Sequence, residues 1–483
     1  MEIGPESHES AGFIARGWWW IMGLLMKLVT KVRNVANKIK RLGQDDPRRI
    51  IHSVKMGLAL SLISLVYYFR PTYDSFGVSA MWAVLTVVVV FEFTVGATLG
   101  KGFNRGVATF LAGALGVGAH QLASLAGQEG EPMLLGLFVF LLAATASFSR
   151  FFPEIKARYD YGVLIFILTF CLVSVSGYRV EKLIELAHQR LSTILIGSFA
   201  CVFVSIFVYP VWAGEELHNH IALNMEKIAD FLEGFGGEYF DTEGSVGETS
   251  LVPKKDKSFL DRYKSVLNSN TTEENLANFA RWEPCHARFR FRHPWKQYLK
   301  IGGLSRQCAC RLEALSSYIN SEGPQEFRKN IQDECIKMSS ESAKTLTELA
   351  SAIRTMTRPH SAYAHLANSK AAASNLKVTL KSALSLSSDL LQVIPAVTVT
   401  SLLVEVVACT EKIAESIDEL AQLAKFKTVE VPIVILENPK TLHRVTIKKS
   451  DIKCPQLVIT IEEPPPSLPG NIKLSKPLEK ASH

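Results

Sequence analysis

Between Val54 and Trp212 the chain carries six apolar runs, with arginines and lysines gathered at their ends. A water-soluble core needs no such pattern. A bilayer does, because about 20 apolar residues in a helix cross a hydrocarbon layer about 30 Å thick. The runs are Val54 to Phe69, Val78 to Val95, Gly106 to Leu125, Pro132 to Phe148, Tyr161 to Val175 and Leu191 to Trp212. Backbone amides in lipid must bond within their own segment, so each run is predicted to be a helix. The first is short, and the lysine and tyrosines near its ends are expected to reach the interfaces.

Basic residues orient the spans. Arg16, Lys27, Lys31, Arg33, Lys38, Lys40, Arg41, Arg48 and Arg49 precede the first run, so the N-terminus is expected in the cytosol. Six crossings return the C-terminus there. The turn holding Lys101 and Arg105 is predicted inside, as is the one with Arg150, Lys156 and Arg158. Outer turns carry Arg70 with Asp74, then Glu129 and Glu131, then Arg179 and Lys182 with Glu181 and Glu185. The opening residues are acidic and polar, so no cleavable signal peptide is expected. Trp18 to Val29 is apolar but short for a span. It reads either as an interfacial helix or as a disordered leader.

Beyond Trp212 charge density rises and apolar residues take helical spacing. One stripe is Leu217, Ile221, Ile228, Phe231 and Phe235. A second is Leu346, Leu349, Ile353 and Met356, and a third Leu402, Val406, Ile413, Ile417 and Leu420. Gly234 to Ser258 reads as a loop, and Val429 to Leu436 and Leu457 to Ile461 have the pattern of short strands. The expected organisation is a basic N-terminal segment (1–53), a six-helix transmembrane domain (54–212), a cytosolic helical domain (213–425) and a partly flexible tail (426–483). The fold class is an all-α membrane protein.

Chemistry-bearing residues are sparse. Eight cysteines lack zinc spacing, and free thiols are expected in a cytosolic domain. Cys308 and Cys310 should face different sides of one helix. His286 and His293 near Cys285 match no metal-site spacing. The stretch from Gly96 to Gly102 is one residue short of a nucleotide loop, and Gly102 stands where Ser or Thr would hold magnesium. It reads as a turn between spans. Small residues of the third run (Gly106, Ala108, Ala112, Gly113, Gly116, Gly118) favour close helix packing. Glu92 interrupts the second run and costs about 2.5 to 3.5 kcal/mol in lipid unless paired, with Lys55, Lys101 or Arg105 as partners. A salt bridge is the favoured role; a proton relay is the other. Arg105, Arg190, Lys101, Arg150 and Arg179 sit at span ends. Singly they anchor helices; together they place positive charge at both mouths of a pathway for anions.

Several motifs then coincide. Asp46-Pro-Arg-Arg-Ile-Ile-His52 leads into the first run, and Ala80-Met-Trp-Ala-Val opens the second. Gly96-Ala-Thr-Leu-Gly-Lys-Gly-Phe-Asn-Arg105-Gly precedes the third, Tyr159-Asp-Tyr-Gly-Val the fifth, and Pro210-Val-Trp-Ala-Gly-Glu-Glu-Leu-His218 closes the sixth. Trp282-Glu-Pro284 and His293-Pro-Trp-Lys-Gln-Tyr follow. From about residue 44 to 425 the chain resembles the plant aluminium-activated malate transporter family. The resemblance implies an anion channel rather than an enzyme, built as a homodimer with six spans per subunit, needing no cofactor and no nucleic acid. It implies that Arg105 and Arg190 line the pore. It also implies that Asp74, Glu181 and Glu185 stand where aluminium-responsive members sense the metal outside the cell. Glu185 replaces an Asp there and Lys182 an acid, and the added positive charge opposes binding of a trivalent cation.

The expected function is passive, gated passage of malate and other anions, at the plasma membrane, with the vacuolar membrane as the alternative. The rival is a proton-coupled carrier of organic or aromatic acids with Glu92 as coupling group. A membrane scaffold whose helical half binds partners is a third class.

Overall fold

The computed structural model describes residues 9–68, 80–176, 180–240, 257–290, 292–319, 325–386 and 390–428. Among them are fourteen α-helices and no β-strand. Asp74, Arg179 and the two strand patterns in the tail lie outside the described residues.

The first helix, α1 (Glu9–Asp45), is long and amphipathic and leaves Leu24, Leu25, Met26, Leu28 and Val29 exposed. It takes in the segment from Trp18 to Val29. It stops at Asp46, whose carboxylate accepts the Arg48 amide at 3.2 Å and so caps α2 (Pro47–Tyr68). Pro47 suits the first helical position, where an amide hydrogen would have no partner. Next come α3 (Ala80–Val90), α4 (Val95–Ser124), α5 (Gly127–Ser149), α6 (Pro153–Ser176) and α7 (Val180–Phe207). Five of the six expected runs fall on helices long and apolar enough to cross a bilayer.

The second run departs from expectation. Its helix α3 has 11 residues, roughly 16 Å of rise, and the chain is non-helical from Phe91 to Thr94. Thr94 then caps α4, its hydroxyl accepting the Ala97 amide at 3.3 Å. The glycine-rich stretch is therefore the opening of a 30-residue helix, not a turn, and Lys101 and Arg105 sit within its first three turns. Its glycines are tolerated because neighbours press on them: a Cβ at Gly96 would collide with the Phe279 carbonyl oxygen, and one at Gly100 would lie 3.0 Å from the Trp282 ring. Arg190 lies in the first turn of the apolar span Ala187–Phe207, while the helix that carries it, α7, begins ten residues earlier, at Val180.

Helix α4 packs against α6 and α7, and α7 against α3 and α2. Gly116 meets Val173 at 2.7 Å from a hypothetical Cβ, and Gly197 meets the Ala83 carbonyl at 2.9 Å. The small residues of these helices thus serve close approach. Ala59, Ile63, Ala83, Val87, Cys201 and Val204 form the core joining α2, α3 and α7. Phe199, Phe203 and Phe207 are exposed in a stacked row.

The second half holds α8 (Ala213–Phe240), a 3₁₀ turn (Lys257–Asp261), α9 (Lys264–Leu267), α10 (Asn270–Ala280), α11 (Trp295–Ser317), α12 (Gln325–Thr355), α13 (His360–Leu386) and α14 (Leu390–Ala424). They share one apolar core. The first two predicted stripes are buried throughout; of the third, Val406, Ile413, Ile417 and Leu420 are buried and Leu402 packs against the core. Helix α14 is apolar enough to span a membrane by length and composition. It instead runs against α11, α12 and α13, burying one apolar face while Glu405, Glu411, Glu415 and Glu419 stand on the rest of the helix. The predicted loop at Gly234 starts too early: α8 continues to Phe240, with Phe259 lying where a Gly234 Cβ would be. Cys308 is buried and Cys310 exposed, on different faces of α11.

Candidate functional site: an anion pathway

Arg105, in the third turn of α4, is 3% exposed. Its Nη1 donates to the Tyr161 hydroxyl at 2.8 Å. Its Nε is buried without a hydrogen-bond partner. Arg190, on α7, lies over the Trp82 ring at 4.1 Å, a cation–π contact. Its Nε is also buried and unpartnered. The two guanidinium groups belong to helices that pack against each other. Among the described residues neither forms a salt bridge. Two like charges held together without a carboxylate are costly in low dielectric unless an anion or water joins them.

The other basic positions differ. Lys101 pairs with Glu92 and lies 5.7 Å from the centre of the Tyr161 ring. Glu92 sits in the break between α3 and α4, where its amide also bonds the Thr98 hydroxyl at 3.1 Å. Lys55, the other partner considered for Glu92, instead donates at 3.4 Å to the Ser205 and Tyr209 carbonyls at the end of α7. Free carbonyls at a helix C-terminus attract a cation. Arg150 is held in a two-point bond by Asp160, at 2.7 and 3.2 Å. Glu185 is exposed on α7 and accepts from Gln189 at 3.2 Å. Glu181 lies in α7, and the described geometry does not extend to its side chain.

Sequence reasoning passed over Trp82, Tyr161 and His120. The first two stand in quoted motifs, but the motifs assign no role to either side chain. His120 is 5% exposed in α4, 3.3 Å from Glu131 of α5. That contact puts Glu131 on a helix rather than in a free outer turn.

The passage from membrane helices to helical bundle gathers most of the quoted motifs. Val95 N donates to Val211 O at 2.9 Å. Arg48 pairs with Glu216 at 2.5 Å. Glu283 is the centre of this joint. Its carboxylate accepts the amides of Ala213 at 2.6 Å and Gly214 at 3.0 Å, the opening residues of α8. Gly96, at the start of α4, packs against the same side chain, its missing Cβ leaving room for the Glu283 Cγ. One buried carboxylate therefore caps the N-terminus of α8, where the helix dipole favours negative charge, and lies against the first turn of α4. Burial nevertheless dominates and pushes its pKa up to about 7. Beside it Trp282 lies 5.4 Å from Phe103 of α4, and the His286 ring stacks on Trp212 at 3.9 Å. His218, Tyr298 and His293 form a buried chain at 2.9 and 3.2 Å. Burial depresses both imidazoles to a pKa of about 4, so the chain is neutral. No group of three or more potential metal ligands occurs among the described residues.

A sequence profile described as "Aluminium activated malate transporter" matches residues 40–391. The chain is 54% identical over 404 residues to aluminum-activated malate transporter 2 of Arabidopsis thaliana, covering 83% of this chain and 80% of that one. It is 51% identical over 412 residues to transporter 1 of the same plant, covering 84% and 83%. To aluminum-activated malate transporter 1 of Triticum aestivum it is 47% identical over 443 residues, covering 89% and 94%. With a profile match over most of its length and relatives of this identity, the chain belongs to the aluminium-activated malate transporter family.

Proposed function

We propose that this protein is a gated anion channel that passes malate and other organic or inorganic anions across a plant membrane. The observation that carries the reading is the pair Arg105, buried, and Arg190, half-buried, on adjoining membrane helices and without a carboxylate partner among the described residues. An ionisable group in that position marks a solute path by default, and two cations without acids mark an anionic solute. Tyr161 and Trp82 orient the guanidinium groups without cancelling their charge.

Charge neutralisation divides the candidate residues. Lys101 and Arg150 each meet a carboxylate and contribute less field at the pathway. Arg105 and Arg190 supply the attraction. The exposed apolar face of α7 suits either lipid or a second subunit, and a homodimer would double each basic position. Two cavities of about 500 and 330 Å³ include neither arginine in their linings, which fits a conduit completed by a partner subunit.

Flux needs no coupled energy source. A dianion leaving a cell at 100 mV, inside negative, gains about 4.6 kcal/mol, at roughly 2.3 kcal/mol per charge. The bundle from α8 to α14 is assigned to the cytosol by the positive charge before α2 and in α1. Its tie to α4 through Glu283 is the route by which it would bias opening. The plasma membrane is the proposed location.

The pairing of Glu92 with Lys101 favours a channel over a proton-coupled carrier, since a coupling carboxylate must be free to exchange protons. Bilayer recording from the purified protein tests the reading. A channel gives single-channel steps and a reversal potential set by the anion gradient. A reversal potential that follows the proton gradient would establish the carrier instead.

A further inference from the structure

The joint contains a second basic feature that the conduction path does not use. Between α10 and α11 the chain forms a short hairpin, His286 and Phe289 exchanging backbone hydrogen bonds at 3.3 and 2.9 Å. Behind it lies a cavity of about 500 Å³, a size typical of ligand sites. Arg281, Arg290, Arg292 and Lys296 line it, together with His286. Arg281, Arg290 and Lys296 have no hydrogen bond or salt bridge to any described residue. The one acid on the wall is Glu283, whose two oxygens are already taken by the amides of Ala213 and Gly214.

Three details of the wall suit an anionic ligand. Arg281 is half-buried, and both its burial and the neighbouring Arg158 work against its charge. The His286 side chain is only 8% exposed, yet its Nε2 has no hydrogen-bond partner, standing 3.8 Å from Glu283. Ala287 and Arg292 take left-handed backbone conformations, with φ of +46° and +61°. Such strain in non-glycine residues collects at ligand clamps.

We propose that this cavity is a binding site for a phosphate-bearing polyanion. Two guanidinium groups and an ammonium, with an imidazole able to donate, suit phosphate oxygens, because guanidinium binds them through paired N–H bonds. The site adjoins α4, which begins at the Glu283 contact, so the phosphate can come from a lipid headgroup at the membrane surface or from a soluble ligand. Occupancy would sit directly against the carboxylate that ties α4 to α8. The inference goes beyond the channel reading and does not depend on current.

The test measures binding to the purified full-length protein. Inositol trisphosphate and ATP serve as soluble probes in detergent. Nanodiscs with and without phosphatidylinositol bisphosphate serve as the lipid arm. The expectation is saturable binding in at least one arm, weakened about tenfold by Arg290→Gln and by Lys296→Gln, as loss of one charge-assisted hydrogen bond predicts. Lys296→Arg should retain binding. Binding in the soluble arm identifies a free phosphate, and binding confined to the phosphoinositide discs identifies a headgroup; both uphold the site. Both substituted side chains are exposed, and unchanged unfolding midpoints would confirm intact folding. Unaltered affinity in folded variants overturns the proposal. So does displacement of the probe by malate at equal concentration, which would make the cavity a vestibule for the transported anion.

Discussion

Glu283 holds the Gly214 amide at 3.0 Å, and through that bond the Trp-Glu-Pro segment is fixed to the first turn of α8. The same side chain packs against Gly96 in the first turn of α4. Two hydrogen bonds and one close packing contact therefore meet at Glu283, between a membrane helix and the bundle. Glu215 raises its pKa further, and His286 lies 3.8 Å away.

The sign of the resulting pH dependence is fixed. The folded pKa of about 7 lies above the ordinary 4.5 of a glutamate, so the folded joint binds the proton more tightly than the unfolded chain. Stability from this group is present in full below pH 4.5 and is lost as pH rises through 7. Wild-type protein should therefore unfold at a lower temperature at pH 8 than at pH 6, and Glu283→Gln should flatten that slope. Calorimetry at the two pH values measures it; an unchanged slope in the variant would remove Glu283 as its source.

The neutral histidines act in the opposite window. His218 and His293 have folded pKa values of about 4, below the unfolded value of about 6.5. Their contribution is intact above pH 6.5 and is lost as pH falls toward 4, by roughly 3 kcal/mol for each imidazole at full titration. Acid unfolding of the bundle should begin below pH 6.5. His218→Gln with His293→Gln should shift its onset to lower pH, read by circular dichroism.

Close packing at the joint leaves no room for a side chain. A Cβ at Gly214 would lie 2.5 Å from the Trp295 ring. Gly214→Ala should destabilise the folded protein by about 1 to 3 kcal/mol, the usual cost of overpacking. A thermal shift assay checks this, and a neutral result would mean that the Trp295 ring moves aside.

Tyr161 supplies the one hydrogen bond that Arg105 makes among the described residues. Tyr161→Phe keeps the charge and the ring but removes the acceptor, and bonds to charged groups contribute about 1.5 to 3 kcal/mol. Current should persist with altered relative permeability among malate, nitrate and chloride. Loss of all current would assign Tyr161 a larger role than orientation.

How far the sequence reveals this molecule varies by region. Apolar runs locate five long membrane helices, because exclusion of water acts on every residue of a span. The bundle is equally legible: Leu217, Ile221, Ile228, Phe231 and Phe235 repeat at helical spacing and are all fully buried. The region from Phe91 to Arg105 is not. Its glycines read as a turn because the partners that fill their empty positions, Phe279 and Trp282, lie far along the chain. Glu283 is visible as part of a motif, but its role depends on the amides of Ala213 and Gly214 and on Gly96, all distant in the chain. The same holds for Arg150, whose free charge in the sequence is cancelled by Asp160 in the fold. Spacing finds helices; it does not find which charges remain unpaired once helices meet.

The central claim is that Arg105 and Arg190 attract anions because no carboxylate among the described residues answers them. The most direct measurement compares malate currents of Arg105→Ala, Arg190→Ala and Arg150→Ala in reconstituted bilayers, with membrane incorporation of each variant checked in parallel. The account predicts a sharp loss of current, tenfold or more by the estimate of about 1.4 kcal/mol per decade, in the first two and a much smaller effect in the third. Currents of wild-type size from both Arg105→Ala and Arg190→Ala would contradict it.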